Sequence, residues 1–247
     1  MELNPQQTAA AAYSGDARNI LVPPGAGCGK TRTLIARAVH LARSGADVSR
    51  LLLMTFTNRA AREMKIRLKR EIGPLSGKIQ AGTFHSFCLK AIATLPKSFD
   101  ATGLNVIDGD DQKALMTVAR NNLVHSMDGS RARKTPKAAE LLKFHSYSRN
   151  TCQTPEAYLP EFTDMEPEQA TLCCRIFDEY RRLKTERGYL DYDDLLWCFS
   201  EALDRKPDLR RDLTGLFDEV LVDEMQDTNP LQFRILRHFA SERVRLF

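Results

Sequence analysis

The 247-residue sequence contains no apolar run near the roughly 20 residues that a membrane-spanning helix needs. Its first residues, Met1 to Gln7, carry neither a basic stretch nor an apolar core, so they do not read as a secretory leader. The cysteines, Cys28, Cys88, Cys152, Cys173, Cys174 and Cys198, include no C-x-x-C pair, and the histidines near them complete no zinc pattern. That excludes a recognisable disulfide framework or zinc module and points to a reduced, cytoplasmic protein. Glycine is missing altogether between Gly129 and Gly188. Charge of one sign is not in short supply: 36 basic residues face 32 acidic ones, for a net charge of +4. An anionic partner fits that balance without being demanded by it. With 43% hydrophobic residues the chain has enough apolar mass for one large domain or two small ones.

What is present is organised around Asn19 to Leu34, N-I-L-V-P-P-G-A-G-C-G-K-T-R-T-L. Ile20, Leu21 and Val22 read as a short buried parallel strand. A loop spaced by Gly25, Gly27 and Gly29 follows, then Lys30 and Thr31, then a helical pattern through Leu34, Ile35, Ala38, Val39 and Leu41. Strand, glycine loop, Lys-Thr and helix is the layout of a phosphate-binding loop. Glycines let backbone N–H groups turn inward around a phosphate, and the helix N-terminus adds partial positive charge. Lys30 is placed to reach the β- and γ-phosphates, and the Thr31 hydroxyl to hold Mg²⁺. The strict pattern wants glycine where this chain has Pro24, which stiffens the loop entry.

Upstream, Asn4 and Pro5 read as a helix cap and first helical residue. Gln7 offers an amide with both donor and acceptor, the combination an adenine edge requires; a solvated helical glutamine is the plainer alternative. Downstream, Leu51 to Met54 reads as a second buried strand running into Thr55-Phe56-Thr57-Asn58 and a basic helix with Arg62, Lys65, Arg67, Lys69 and Arg70. Thr and Asn at a strand end suit phosphate contacts and Phe56 suits base stacking, although a core role for Phe56 reads equally well. Ile79 to Phe87 repeats the theme: a strand turning into a helix at Gly82-Thr83-Phe84-His85-Ser86, with Gly82 open to close approach of another backbone.

From about Pro96 to Gly188 the character changes. After a strand candidate at Leu104 to Ile107, helical patterns cover Asp111–Met127, Pro136–Tyr147 and Pro167–Glu186, as an α-helical insertion would. Arg131, Arg133, Lys134, Lys137, Lys143 and Arg149 face one acid, Glu140, which suits phosphate contacts or a plain solvated face. In Leu190-Asp191-Tyr192-Asp193-Asp194-Leu195, Asp191 or Asp193 is placed to cap a helix. The second decisive stretch is Glu219 to Asn229, E-V-L-V-D-E-M-Q-D-T-N. An apolar strand ends in adjacent carboxylates, where a P-loop sheet puts its Mg²⁺ ligand and its catalytic base. Asp223 reads as the Mg²⁺ ligand, Glu224 as the group that polarises water, and Gln226 and Asp227 as sensors of the γ-phosphate. Val244 to Phe247 reads as one more strand.

L-N-P-x-Q at Leu3, G-A-G-C-G-K-T-R at Gly25, T-F-T-N-R-A-A at Thr55, G-T-F-H-S at Gly82, L-D-Y-D-D-L at Leu190 and V-D-E-M-Q-D-T-N at Val222 occur in this order. The assembly resembles the UvrD/PcrA/Rep-like superfamily 1 DNA helicases over essentially the whole chain. The resemblance implies an α/β fold: a RecA-like P-loop NTPase parallel sheet with an inserted α-helical subdomain resembling subdomain 1B. It divides the chain into a first motor part at 1–95, the helical insertion at 96–188 and a second motor part at 189–247. It implies ATP and Mg²⁺ as cofactors, with Gln7, Pro24, Gly25, Ala26, Gly27, Cys28, Gly29, Lys30, Thr31 and Arg32 around the nucleotide. Thr31 and Asp223 serve the metal, and Lys30, Asp223, Glu224 and Gln226 serve hydrolysis. Phe56, Thr57, Asn58, Thr83, Phe84 and His85 line a single-strand DNA track.

The implied activity is 3′-to-5′ translocation on single-stranded DNA and unwinding of 3′-tailed duplexes. Pro24, Cys28 and Met225 depart from the family's usual residues without removing a catalytic group. The G-D-x-x-Q motif and second motor domain that follow in the family are not in this sequence, so unwinding by these residues alone is not expected. Two other readings remain: a nucleotide- and DNA-binding module without motor activity, and an unrelated P-loop kinase. The kinase leaves the Thr55 and Gly82 motifs unexplained. The pathway served, whether repair, replication restart or plasmid transfer, is open.

Overall fold

The structure, a computed structural model, describes residues 2–22, 29–101, 103–125, 134–240 and 244–247, with Phe162 described by its backbone alone. The expectations placed on Pro24 to Cys28, and on Arg131 and Arg133, lie outside the described residues. The chain is α/β and divides into two compact units. One comprises residues 1–91, 200–228 and 232–247; the other comprises 92–199 and 229–231. No helix among the described residues is long and apolar enough to cross a membrane.

The first unit is built on a parallel sheet in the order β2-β1-β5-β6: β1 Leu51–Thr55, β2 Gln80–Thr83, β5 Glu219–Val222 and β6 Arg245–Leu246. β1 is buried along its whole length, so its Leu-Leu-Leu-Met-Thr run has no polar face to show, as expected of a central parallel strand. The expected strand at Ile20 to Val22 is reduced to a single parallel bridge, Asn19 to Leu246. β6 is two residues long, and it offers this neighbour only the Leu246 carbonyl for Ile20 N–H and the Leu246 N–H for the Arg18 carbonyl. Leu21 is correspondingly 76% exposed, not buried.

Helices α1 (Pro5–Ala11), α2 (Lys30–Arg43), α3 (Asn58–Ile72) and α4 (Phe84–Thr94) follow the strand ends and loops. Asn4 and Gln7 form a reciprocal capping box at α1, with Gln7 N–H donating to Asn4 Oδ1 at 2.8 Å and Asn4 N–H to Gln7 Oε1 at 3.0 Å. The apolar face of α2 (Leu34, Ile35, Ala38, Val39) packs with Leu51, Leu53, Met64, Leu68 and Leu221 in one core cluster. Ser86, not another backbone, occupies the space beside Gly82: a Cβ there would lie 2.5 Å from Ser86 Oγ. That hydroxyl accepts from Thr83 N–H at 2.8 Å and donates to the Thr83 carbonyl at 2.9 Å, closing the strand-to-helix turn.

The second unit holds β3 (Asn105–Val106), α5 (Gly109–Val124), α6 (Ala138–Thr151), α7 (Pro155–Phe162), α8 (Pro167–Arg187) and β4 (Tyr189–Leu190), with β3 and β4 pairing in parallel. Its core includes Met116, Leu141, Leu159, Cys173, Ile176, Phe177 and Tyr180. The chain then enters α9 (Tyr192–Arg205), α10 (Pro207–Thr214) and, after β5, α11 (Pro230–Ala240). Residues 189–199 pack with the helical unit, beyond the boundary at 188 read from the motifs, because the L-D-Y-D-D-L stretch is anchored there. Asp191 caps α9 by accepting from Asp194 N–H at 2.8 Å, and both carboxylates are buried on Lys184, whose Nζ lies 2.6 Å from Asp191 and 2.5 Å from Asp194. Tyr180 donates to Asp191 at 3.0 Å. Arg149, expected among phosphate-contacting cations, instead lies 3.5 Å from Asp194 and over the Trp197 ring, while Lys134, Lys137 and Lys143 are exposed.

His145 is buried against Phe177 and Tyr180, with desolvation and then the Lys184 charge pushing its pKa down to about 3. The sign of the linkage follows. The unfolded imidazole takes a proton below about pH 6.5 and the folded one resists until about 3. The folded state therefore loses stability as pH falls through that window. Asp191, held below the ordinary carboxylate range by Lys184 against the burial that opposes it, adds in the same direction at the acid end, whereas burial raises Asp194 and partly offsets it. Chemical denaturation of wild type and His145→Phe between pH 7 and pH 4 is expected to show a steeper loss in wild type; parallel curves would remove His145 from this account.

Candidate functional site

The parallel sheet brings the carboxyl ends of β1, β2 and β5 to one edge, the edge where ligands bind in open α/β sheets. Asp223 follows β5, with its N–H held by the Met54 carbonyl of β1 at 2.9 Å. Lys30 and Thr31 open α2, whose cap Gly29 has φ +76°, a left-handed backbone that glycine adopts without strain. A Cβ at Gly29 would also lie 3.0 Å from Gln7 Nε2, so glycine lets the α1 amide pack against the loop end.

These elements converge. Thr31 Oγ1 donates to Asp223 Oδ2 at 3.0 Å, and Lys30 Nζ lies 2.7 Å from Glu224 Oε2. Gln226, exposed, donates its side-chain amide to the same Glu224 oxygen. Burial raises the pKa of Asp223, while the Thr31 hydroxyl acts against that shift by bonding the carboxylate. Glu224 is held below its ordinary range by Lys30 and then Gln226, and Lys30 is raised by the same contact with Glu224. Glu224 has φ +56°, an unfavourable backbone for a side-chain-bearing residue and one that clusters at functional sites. A cleft of about 290 Å³ is lined by Gly29, Lys30, Thr31, Arg32, Asp223 and Glu224, together with Ala60, Glu63 and Arg67 of α3. A cavity of about 480 Å³ in the helical unit includes none of the residues the sequence motifs assigned to a site.

The oxygen donors of Thr31 and Asp223 suit a hard divalent cation such as Mg²⁺, which selects hydroxyl, carboxylate and water ligands. Gln7 is partly committed, its carbonyl accepting from Asn4 N–H, and Arg32 Nη1 donates to the Glu2 carbonyl at 3.2 Å. Both therefore sit beside the start of α2 with a contact already made within the chain.

The second group of expected site residues lies at the adjacent ends of β1 and β2, where Thr55 pairs in register with Thr83. Phe56 is half-buried, and its ring centroid lies 5.9 Å from that of Phe84. Thr57 and Asn58 are exposed at the start of α3, where Thr57 Oγ1 accepts from Ala60 N–H. Arg59, Arg62, Lys65, Lys69 and Arg70 are exposed along the same helix. Phe84 is 1% exposed and Thr83 is buried with its hydroxyl accepting from Ser86 N–H. These two are core and cap, not lining, and Phe84 reaches the surface only as the support of Phe56. His85 is half-buried.

The profile of the UvrD/REP helicase N-terminal domain matches residues 3–247. The chain belongs to the UvrD/REP helicase family. Among its relatives, the ATP-dependent DNA helicase UvrD1 of Mycobacterium tuberculosis is 31% identical over 241 residues, covering 96% of this chain and 30% of that protein. The ATP-dependent DNA helicase PcrA of Staphylococcus aureus is 31% identical over 230 residues, covering 90% of this chain and 30% of that protein. The chain thus spans about 30% of the length of these UvrD/REP relatives and matches the N-terminal domain of the family.

The motifs did not reveal Arg37 or Glu219. Arg37 is 1% exposed and spans α2 and β5 through a bidentate pair with Glu219. Their one signal in the sequence is a charge at each of two otherwise apolar positions, Arg37 among Leu34, Ile35, Ala38 and Val39, and Glu219 at the head of Val220-Leu221-Val222.

Proposed function

We propose that these residues are the ATP-binding portion of an ATP-dependent DNA helicase that moves 3′ to 5′ on single-stranded DNA and opens 3′-tailed duplexes. The observation that carries the reading is the convergence of the α2 start and the β5 end: Thr31 on Asp223 at 3.0 Å and Lys30 on Glu224 at 2.7 Å. Thr31 and Asp223 would hold Mg²⁺, which when bound screens phosphate charge. Lys30 would leave Glu224 for the β- and γ-phosphates, since a polyanion competes well for an ammonium group. That exchange would free the Glu224 carboxylate to take a proton from water, while Gln226 keeps it oriented. The low pKa of Glu224 before this exchange supports a base kept ionised and occupied until nucleotide arrives. Within this reading the two compact units are a motor part and an inserted helical subdomain, and the protein works in the cytoplasm where its DNA lies.

The DNA track of this proposal is narrower than the motifs suggested. Phe56, Thr57, Asn58 and His85 line it, Thr83 and Phe84 support it from below, and the exposed cations of α3 supply phosphate contacts. Stacking on one aromatic ring is worth roughly 1–3 kcal/mol per base, whereas salt dependence counts phosphates neutralised. Phe56→Ala is therefore expected to weaken single-strand binding by about 5- to 150-fold with an unchanged salt slope. Arg62→Ala with Lys65→Ala should lower the slope. Fluorescence anisotropy with labelled oligothymidine over a salt series measures both, and a Phe56→Ala protein that is folded and binds like wild type would remove the stacking role.

A further inference from the structure

Behind the nucleotide-site residues lies a buried pair to which no motif assigns a role. Arg37 sits seven residues after Lys30, about two turns or 10 Å down α2. Glu219 opens β5, four residues before Asp223. Arg37 Nε donates to Glu219 Oε1 at 2.8 Å and Nη2 to Oε2 at 3.0 Å. Nη1 donates to the carbonyls of Ala11 at 3.1 Å and Tyr13 at 2.6 Å, at the end of α1. The guanidinium therefore joins α1, α2 and β5, the elements that carry Gln7, Lys30 with Thr31, and Asp223 with Glu224.

A two-bond fork fixes both the translation and the rotation of one element on another, which a point charge does not. Sliding α2 along β5 by a fraction of a turn would separate Thr31 Oγ1 from Asp223 Oδ2, now 3.0 Å apart. As a source of stability alone the pair is a poor choice, because apolar residues of similar volume often replace a buried ion pair at no cost. We propose that Arg37 and Glu219 are positioning residues for the nucleotide site, setting the register of α2 on β5 so that Thr31 and Asp223 meet the magnesium-bound nucleotide. The inference rests on the nucleotide-binding reading above.

The test is the affinity of the 247-residue protein for a fluorescent ADP, measured with Mg²⁺ and again with EDTA, and reported as the ratio of the two. Residues standing behind metal ligands typically change metal-linked affinity about 10- to 100-fold when replaced. The Arg37→Met/Glu219→Leu double variant, which leaves no buried charge unpaired, is expected to fold and to bind in EDTA like wild type, with its Mg²⁺ ratio about tenfold lower. Arg37→Lys, which keeps the charge and loses the fork, should fail to restore the ratio. If the double variant does not fold, Glu219→Gln carries the test and should lower the ratio to a smaller extent. A role in stability alone would lower the melting temperature and leave the ratio untouched, and that result in any folded variant overturns the proposal. Wild type that does not bind, or whose binding is indifferent to Lys30→Ala, overturns the nucleotide reading and this inference with it. Unchanged ratios beside a wild type that binds through Lys30 overturn the positioning role alone.

Discussion

Arg37→Met is expected to destabilise the protein by about 3–5 kcal/mol, the typical loss when one partner of a buried ion pair is removed. The substitution strands the Glu219 carboxylate in a site where its side chain is 5% exposed, and it takes the donors from the Ala11 and Tyr13 carbonyls. Buried charge without a partner is costly because nothing replaces the water it gave up. For a chain of this size the loss corresponds to roughly 6–20 °C in melting temperature. Pairing it with Glu219→Leu removes the stranded charge and should recover the part of the loss that the charge causes, leaving only the lost donors to the Ala11 and Tyr13 carbonyls. Thermal and urea unfolding of the two single variants, the double variant and wild type measure this. Losses that simply add in the double variant would show that the two side chains do not act as a pair.

Glu224→Gln is expected to lower any ATP hydrolysis by roughly 10²–10⁴-fold, the range for loss of a positioned general base, while nucleotide affinity changes little. The geometry supplies the contrast. Glu224 is half-buried and bonded to Lys30 and Gln226, so an amide of the same shape keeps its place without being able to accept a proton. The amide also loses the ion pair with Lys30, which leaves Lys30 more available to phosphate. Affinity should therefore hold or rise modestly as the rate falls. Rate and affinity are measured separately, by phosphate release and by equilibrium titration. A Glu224→Gln protein that hydrolyses at the wild-type rate would move the base elsewhere in the cleft, with Asp223 the next carboxylate.

Strand ends and capped helix starts were legible because they are local. Leu51–Thr55 and Glu219–Val222 are largely apolar runs with their turns beside them, Gln80–Thr83 is marked by the Gly82-Thr83 turn into α4, and the capping box from Asn4 to Gln7 is written in four residues. The meeting of Thr31 and Asp223 was implied by two motifs almost two hundred residues apart, since a P-loop sheet leaves few places for an acidic pair at a strand end, whereas the direct ion pair of Lys30 with Glu224 was not. Long-range burial was not legible. Phe84 and Phe56 follow threonines that pair in register, yet Phe84 opens α4 and is in the core, while Phe56 precedes the Thr57 cap of α3 and is half-buried. Leu21 read as core because it is apolar, and the two-residue β6 offers too short an edge to bury it. Asp191 or Asp193 read as the cap of a helix. Asp191 is the cap, but its carboxylate and that of Asp194 in the first turn are also held by Lys184, a cation on another helix that no local pattern links to them.

Calorimetric titration of Mg-ATP into wild type and Lys30→Ala tests the central claim most directly. Lys30 would exchange Glu224 for phosphate, and a hydrogen bond to a charged group contributes about 1.5–3 kcal/mol. The account expects measurable wild-type binding and at least a tenfold loss in Lys30→Ala, with the folded spectrum unchanged. Equal affinity in the two proteins would contradict the assignment of this cleft as the nucleotide site.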